Sequence, residues 1–322
     1  MFTVVGEALL DMVQQPPGGD TYRALPGGGP LNIAVGLRRL GHPTALKARF
    51  AAGALGQQVR GHAAAMELDL SASIATDQPA TLAFASLDAS GRATYDFYTH
   101  GTSDWGWTAA ELATLPAGTQ AVHTGSLVTA LSPGADAVVE WWGLLADRAD
   151  VVLSFDPNVR SALGGARDAA VRRVERLVAL SHVVKASDED LAWLYPERDP
   201  AESLGRWARL GPALAVLTRG ADGCRAVTAT GGAVDLPGHR VDVVDTIGAG
   251  DAFQSGLLSG LADTGLLSPS ALAEISVEQA TVVVERALLV SALTCGRPGA
   301  DPPTRSEYDD AVSRLETRIT DG

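Results

Sequence analysis

The sequence predicts an α/β protein with a mostly parallel central sheet, on three observations. From about residue 120, short apolar runs alternate with longer helical patterns, the rhythm that crossover connections between parallel strands produce. The runs at 121–127 and 151–155 are short, β-like and bounded by turn or polar residues, and they read as buried strands. The chain has 322 residues, 46% hydrophobic and 20% charged, enough for one large core or a core with a small appendage.

Taken in order, residues 3–25 are β-like, with Pro16-Pro17-Gly18-Gly19 as punctuation. Pro30 suits the first turn of a helix that carries Val35, Leu37 and Leu40 and ends at Gly41. Residues 80–100 are again β-like, with a turn at Asp88-Ala89-Ser90-Gly91; 93–99 alternates and is rich in Tyr and Phe, as a half-exposed strand is. These two segments form either a small β flap on the body, with strands from about 11–25 and 80–105, or extra edge strands of the main sheet. Residues 135–148 carry Val138, Trp141, Leu144 and Leu145 at helical spacing between the strands at 121–127 and 151–155. Strands follow at 182–185 and 214–217, then a hairpin over 224–236 around Gly231-Gly232. Helices are predicted over about 250–264, 270–293 and 305–318. There is no internal repeat and no obvious linker, so 1–322 is read as one unit.

Lys+Arg 25 against Asp+Glu 38 gives a net charge of -13, which argues against a nucleic-acid or anionic-membrane partner. Two cysteines, Cys224 and Cys295, lie far apart and outside any C-x-x-C spacing, which points to a reducing compartment. The N-terminal run reaches Glu7 without a basic stretch, and no apolar run approaches the ~18 residues of a membrane span. A soluble cytoplasmic protein is expected.

The segment Val243-Val244-Asp245-Thr246-Ile247-Gly248-Ala249-Gly250-Asp251-Ala252-Phe253 carries the chemistry. It follows a β-like run and opens a helix with Phe253, Leu257 and Leu261 on its apolar face. Small residues at Gly248, Ala249 and Gly250 let backbone N–H groups face an anion, and the helix N-terminus adds positive partial charge. A carboxylate at Asp251, beside that anion site, can take a proton from an incoming hydroxyl. An isolated G-x-G-D would be read more simply as a helix start with an ordinary acid.

The longer context Asp-Thr-x-Gly-Ala-Gly-Asp-Ala-Phe, with no Gly-Lys-Ser/Thr of a Walker A loop, resembles the C-terminal signature of the ribokinase-like (PfkB) carbohydrate kinases. The resemblance covers nearly the whole chain. It implies a ribokinase-like three-layer α/β/α sandwich with a small β-sheet lid, ATP and Mg²⁺ as co-reactants, and Asp251 as catalytic base. Pro26-Gly27-Gly28-Gly29-Pro30-Leu31-Asn32 looks like the family's N-terminal motif, which implies sugar contacts at Gly28, Gly29 and Asn32. Gly6-Glu7-Ala8-Leu9-Leu10-Asp11 looks like its first strand, with Asp11 as a sugar-binding acid. By the same resemblance Asp156, Asn158 and Arg160 face the cleft.

Lys185-Ala186-Ser187-Asp188-Glu189-Asp190 stands where the family has Asn-x-x-Glu. That implies nucleotide contacts at Lys185 and Ser187 and a water-mediated Mg²⁺ contact at Asp190, although Ser-Asp-Glu-Asp is also a good helix start in its own right. Thr218, Gly220 and Gly223 resemble the nucleotide-binding turn, joined there by Gly248 and Gly250. Asp245 and Ile247, with the loop 294–303, resemble a monovalent-cation (K⁺) site. One departure is the absence of an acid near Gly56, where a helix begins; it removes an N-cap, about 1 kcal/mol, or a sugar contact.

The flap segment and the ending Ala292-Leu293-Thr294-Cys295-Gly296-Arg297-Pro298-Gly299-Ala300 look most like fructokinases of bacteria. That implies fructose as acceptor, with Tyr98 and its aromatic neighbours covering the ring, and a homodimer through the lid. The same chemistry on 2-dehydro-3-deoxygluconate, ribose or a nucleoside is the alternative. A non-catalytic sugar-binding regulator is the alternative of another class.

Overall fold

The computed structural model describes residues 1–15, 18–87, 93–163 and 165–320. Its strands, in chain order, are β1 (Phe2–Val5), β2 (Leu9–Gln14), β3 (Tyr22–Gly27), β4 (Thr44–Lys47), β5 (Arg49–Ala51), β6 (Ile74–Thr76), β7 (Leu82–Leu87), β8 (Ala93–Tyr98), β9 (Ala121–Gly125), β10 (Val152–Asp156), β11 (Val183–Ser187), β12 (Leu214–Thr218), β13 (Cys224–Thr228) and β14 (Ala233–Leu236). The main sheet runs β14-β13-β12-β11-β10-β9-β1-β4. It is parallel from β4 to β12, and the hairpin β13–β14 adds two antiparallel strands at one edge.

Successive residues of each central strand serve opposite faces, so apolar pairs feed two cores. Val4, Val152, Val183 and Val216 pack with Leu31, Leu257, Val283 and Val284, from helices Gly29–Arg39, Ala249–Asp263 and Val277–Cys295. Val5, Leu153, Val184 and Leu217 pack with Trp141, Trp142, Leu177, Leu204 and Trp207 on the other side. Those residues lie on helices Gly134–Ala146, Arg167–Leu180 and Pro200–Trp207. Burial on both faces is what makes these runs mostly apolar, with His123, Thr124, Ser154 and Lys185 as buried polar exceptions. Trp142 is wholly enclosed, and truncating it to Ala would cost about 3–5 kcal/mol.

A second sheet, β3-β2-β7-β8, is the flap and is separate from the main one, which resolves the two readings of 3–25 and 80–100. The turn expected at Asp88-Ala89-Ser90-Gly91 lies outside the described residues. The single helix expected over 270–293 is two: Pro269–Ala273, then Val277–Cys295. Ser276 interrupts it, because its hydroxyl accepts from Gln279 N while Gln279 caps Ser276 N in return. At Gly53 the missing cap is visible: helix Ala54–Ala65 starts with no side-chain acceptor.

Candidate active site

Because β9–β12 are parallel, their C-terminal ends lie along one edge and deliver Gly125, Asp156, Ser187 and Thr218 there. Helix Ala249–Asp263 begins beside that edge. Gly248 is its N-cap in the left-handed region (φ 75°), and a Cβ at 248 would lie 2.5 Å from Ala300 Cβ, so glycine is required twice over. Ala249 N donates to Thr246 O at 3.2 Å, which closes the turn. That corrects the expectation for Ala249: its amide is spent on the turn, whereas those of Gly250 and Asp251, in the first turn, have no intrahelical acceptor.

Asp251 is 8% exposed. Asn32 Nδ2 donates to its Oδ2 at 2.9 Å, which links the two glycine-bearing motifs across 219 residues. A Cβ at Gly29 would sit 3.2 Å from Asp251 Oδ1 and 3.3 Å from Asn158 Nδ2, so the bare backbone at 29 lets these two side chains converge. Gly28 has φ +109° over the Glu7 carbonyl, a conformation that a Cβ would strain. Burial pushes the Asp251 carboxyl up to about 6, and Asp156 adds to the shift. The Asn32 hydrogen bond, Arg160 and Lys185 work against it.

The flap supplies the opposite wall. Asp11 is pushed up to about 6 by burial, with the Asp251 charge reinforcing and Arg160 opposing. Register sets the faces: Asp11 lies beside Ala83, which pairs with Phe97, and Val13 beside Ala85, which pairs with Tyr95. Asp11, Tyr95 and Phe97 therefore share the face toward the cleft, where Tyr95 feels Asp11 and Arg160, and the two rings stack 5.9 Å apart. Tyr98 has the opposite parity. It is 61% exposed and meets Phe84 edge-on at 5.3 Å on the outer face, which corrects its expected place over the sugar.

The 185–190 segment departs from expectation in physical terms. Lys185 is 3% exposed and its Nζ lies 2.8 Å from Asp156 Oδ2, so its charge is held in a buried ion pair at the sheet edge. Ser187 and Asp190 form a capping box on helix Asp188–Leu194. Asp190 Oδ2 accepts from Ser187 N at 2.9 Å and Ser187 Oγ at 2.7 Å, and its Oδ1 accepts from Val159 N at 2.7 Å. Oδ2 is thus committed to the cap of its own helix and Oδ1 to the 158–160 loop, so neither oxygen is free of a hydrogen bond for the Mg²⁺ role expected of Asp190, and Ser187 serves as the helix cap. Among the described residues no group of three or more His, Cys, Asp or Glu is placed to hold a metal ion.

Thr218, Gly220 and Gly223 lie at the end of β12, where the tight turn Gly220–Asp222 joins it to β13. Asp245 accepts from Ile247 N at 3.0 Å and from Gly299 N at 2.8 Å, while Cys295 O receives Val244 N and Asp245 N. The loop 294–301 therefore braces the anion turn from the side. Glu7 is the residue that sequence reading passed over. It is buried beneath Gly28 and pushed up to about 8 by burial, with Asp104, itself raised to about 7, adding to the effect. Asn158 was singled out only as cleft-facing, yet it comes about as near to Gly29 as Asp251 does; its positive φ of 38° is invisible in sequence.

Residues 1–306 match the description "pfkB family carbohydrate kinase". A fructokinase of Rhizobium leguminosarum bv. trifolii is 36% identical over 284 residues, 87% of this chain and 85% of its own. Among solved structures, a fructokinase with bound ATP from Xylella fastidiosa superposes with a TM-score of 0.87 at 25% identity, covering 98% of this chain and 99% of that one. A double-mutant fructokinase from Vibrio cholerae, bound to fructose, ADP and a potassium ion, has a TM-score of 0.79 at 24% identity, covering 95% and 94%. The chain belongs to the pfkB family of carbohydrate kinases and has its ribokinase-like fold. It is a phosphotransferase that acts on a sugar hydroxyl.

Proposed function

We propose that this enzyme transfers the γ-phosphoryl group of ATP to a primary hydroxyl of fructose, with Asp251 as base. The observation that carries the reading is Asp251 itself: a buried first-turn carboxylate with Asn32 as its hydrogen-bond partner, beside the unspent amides of Gly250 and Asp251. The sugar oxygen forms its bond to phosphorus as its proton passes to Asp251, and the bond from phosphorus to the ADP oxygen breaks. The amides stabilise charge on the moving phosphoryl oxygens. We place Asp11, Gly28, Gly29, Asn32 and Arg160 on the sugar. Thr218, Gly220, Gly223, Gly248 and Gly250 lie on the nucleotide side of the same edge. Mg²⁺ enters on the nucleotide phosphates, since the described residues offer it no carboxylate cluster. A potassium ion at the 245–247 turn fits the way Asp245 ties that turn to Gly299.

A neutral sugar suits the charge balance better than a sugar acid. Asp11, Asp251 and Glu7 surround Arg160, so an added carboxylate would meet repulsion as well as attraction. Supporting the reading further, relatives 36% and 31% identical bear the name fructokinase. The outer lid face, with Tyr22, Phe84 and Tyr98 in an edge-to-face row, suits a homodimer seam. The two free cysteines fit a cytoplasmic enzyme. ADP release measured on fructose, ribose, a nucleoside and 2-dehydro-3-deoxygluconate tests the substrate: fructose should give the highest kcat/KM, and preference for the acid would refute the reading.

A further inference from the structure

The centre contains a cation that the scheme above leaves unused. Lys185 stands in the middle of β11 with its side chain enclosed, and Asp156 from the neighbouring strand holds its Nζ at 2.8 Å. A Cβ at Gly250 would lie 3.6 Å from that ammonium, so the charge stands directly behind the anion-binding turn. Three carboxylates act on it, those of Asp156, Asp190 and Asp251. Burial alone would favour losing the proton, but these acids outweigh it and keep Lys185 charged.

We propose that Lys185 is a positioning residue for phosphoryl transfer: clamped by Asp156, its ammonium fixes the Gly250–Asp251 turn and steadies negative charge on the base and on the phosphoryl oxygens. The Asp156–Lys185 pair then works as a two-ended setting. Lys185 stabilises the Asp251 carboxylate and Asp156 destabilises it. The other groups that act on Asp251 are Asn32 from the first long helix, Arg160 from the loop after β10, and Asp11 from the lid. None of them touches the pair, so its effect can be isolated.

This inference rests on Asp251 being the base. The test is the pH dependence of kcat/KM for sugar phosphorylation in Lys185→Met, Lys185→Arg and Asp156→Asn. Lys185→Met should lower kcat at neutral pH by about tenfold to a hundredfold, with sugar KM within about twofold, and move the acid limb upward. Lys185→Arg should recover part of kcat and return the limb toward the wild type. Asp156→Asn should move the limb downward, and it tests the idea alone if Lys185→Met does not fold. Limbs that stay in place, or that move in one direction in both charge-removing variants, overturn the proposal. A wild-type enzyme that shows no acid limb overturns the base assignment instead.

Discussion

Two helices of this molecule carry an aspartate at the third helical position beside the same sheet edge, and the two acids have opposite fates. In Asp188–Leu194 the N-cap is Ser187, whose hydroxyl and amide both donate to Asp190, so that carboxylate closes on its own helix. In Ala249–Asp263 the N-cap is Gly248, which has no side chain to offer, and Asp251 is left to Asn32 and the cleft. One acid is stabilised by local partners and is structural. The other is equally buried but has a single distant side-chain partner; burial raises both carboxyls, so what separates them is the hydrogen bonding, and on our reading it leaves Asp251 free to serve as base. On the proposed mechanism, the acid at this helix start is freed for chemistry by what its cap withholds.

The largest effect that comparison predicts is on activity. Asp251→Asn should lower kcat by about a thousandfold or more without unfolding the protein. It should also stabilise it. The folded carboxyl is raised from 3.8 to about 6, so above that pH the ionised form costs the fold up to about 3 kcal/mol. The gain in thermal stability should be present at pH 8 and shrink as pH falls through 6 toward 4, where the wild-type carboxyl protonates. A melting temperature lowered by Asp251→Asn at pH 8 would break the contrast.

Asp190→Ala should do the reverse, with the larger loss in stability. Removing it leaves Val159 N and Ser187 N without their acceptor, a cost of about 1–3 kcal/mol. Tm should fall by several degrees while kcat retains most of its value. A kcat loss as deep as that of Asp251→Asn would place Asp190 back in the chemistry.

Smaller effects separate the lid faces. Tyr95→Ala should raise sugar KM several-fold, since its ring lies on the cleft side, whereas Tyr98→Ala should leave KM unchanged and, if the outer face is the seam, weaken the dimer in sedimentation. The smallest concerns a third helix start. Gly53 already has extended backbone (φ -69°, ψ 173°) and open space at its Cβ, so Gly53→Ser should add a cap and about 1 kcal/mol, read as a modest rise in Tm.

These contrasts also mark what the residues alone could convey. The alternating apolar runs at 121–127, 151–155, 182–185 and 214–217 became β9 to β12, because burial on both faces leaves a strong local signal. The two glycine-bearing motifs were legible as sites, but their meeting at Asn32 and Asp251 is a contact between distant segments. Parity along β8 was readable, since 95 and 97 must share a face that 98 does not; which face met the cleft depended on pairing with β7 and β2. The fate of Asp190 turned on whether a shorter acid would fold back onto Ser187, a matter of side-chain reach that the motif hides. Ser276 was missed within a helical run because apolar spacing continues through it.

The most direct test of the central claim is the acid limb of kcat/KM for the wild-type enzyme on fructose. A base that must be ionised to accept the hydroxyl proton fails as pH drops, and its burial predicts a limb with an apparent pKa near 6. A limb at the ordinary aspartate value near 4, or activity that persists undiminished below it, would contradict the account.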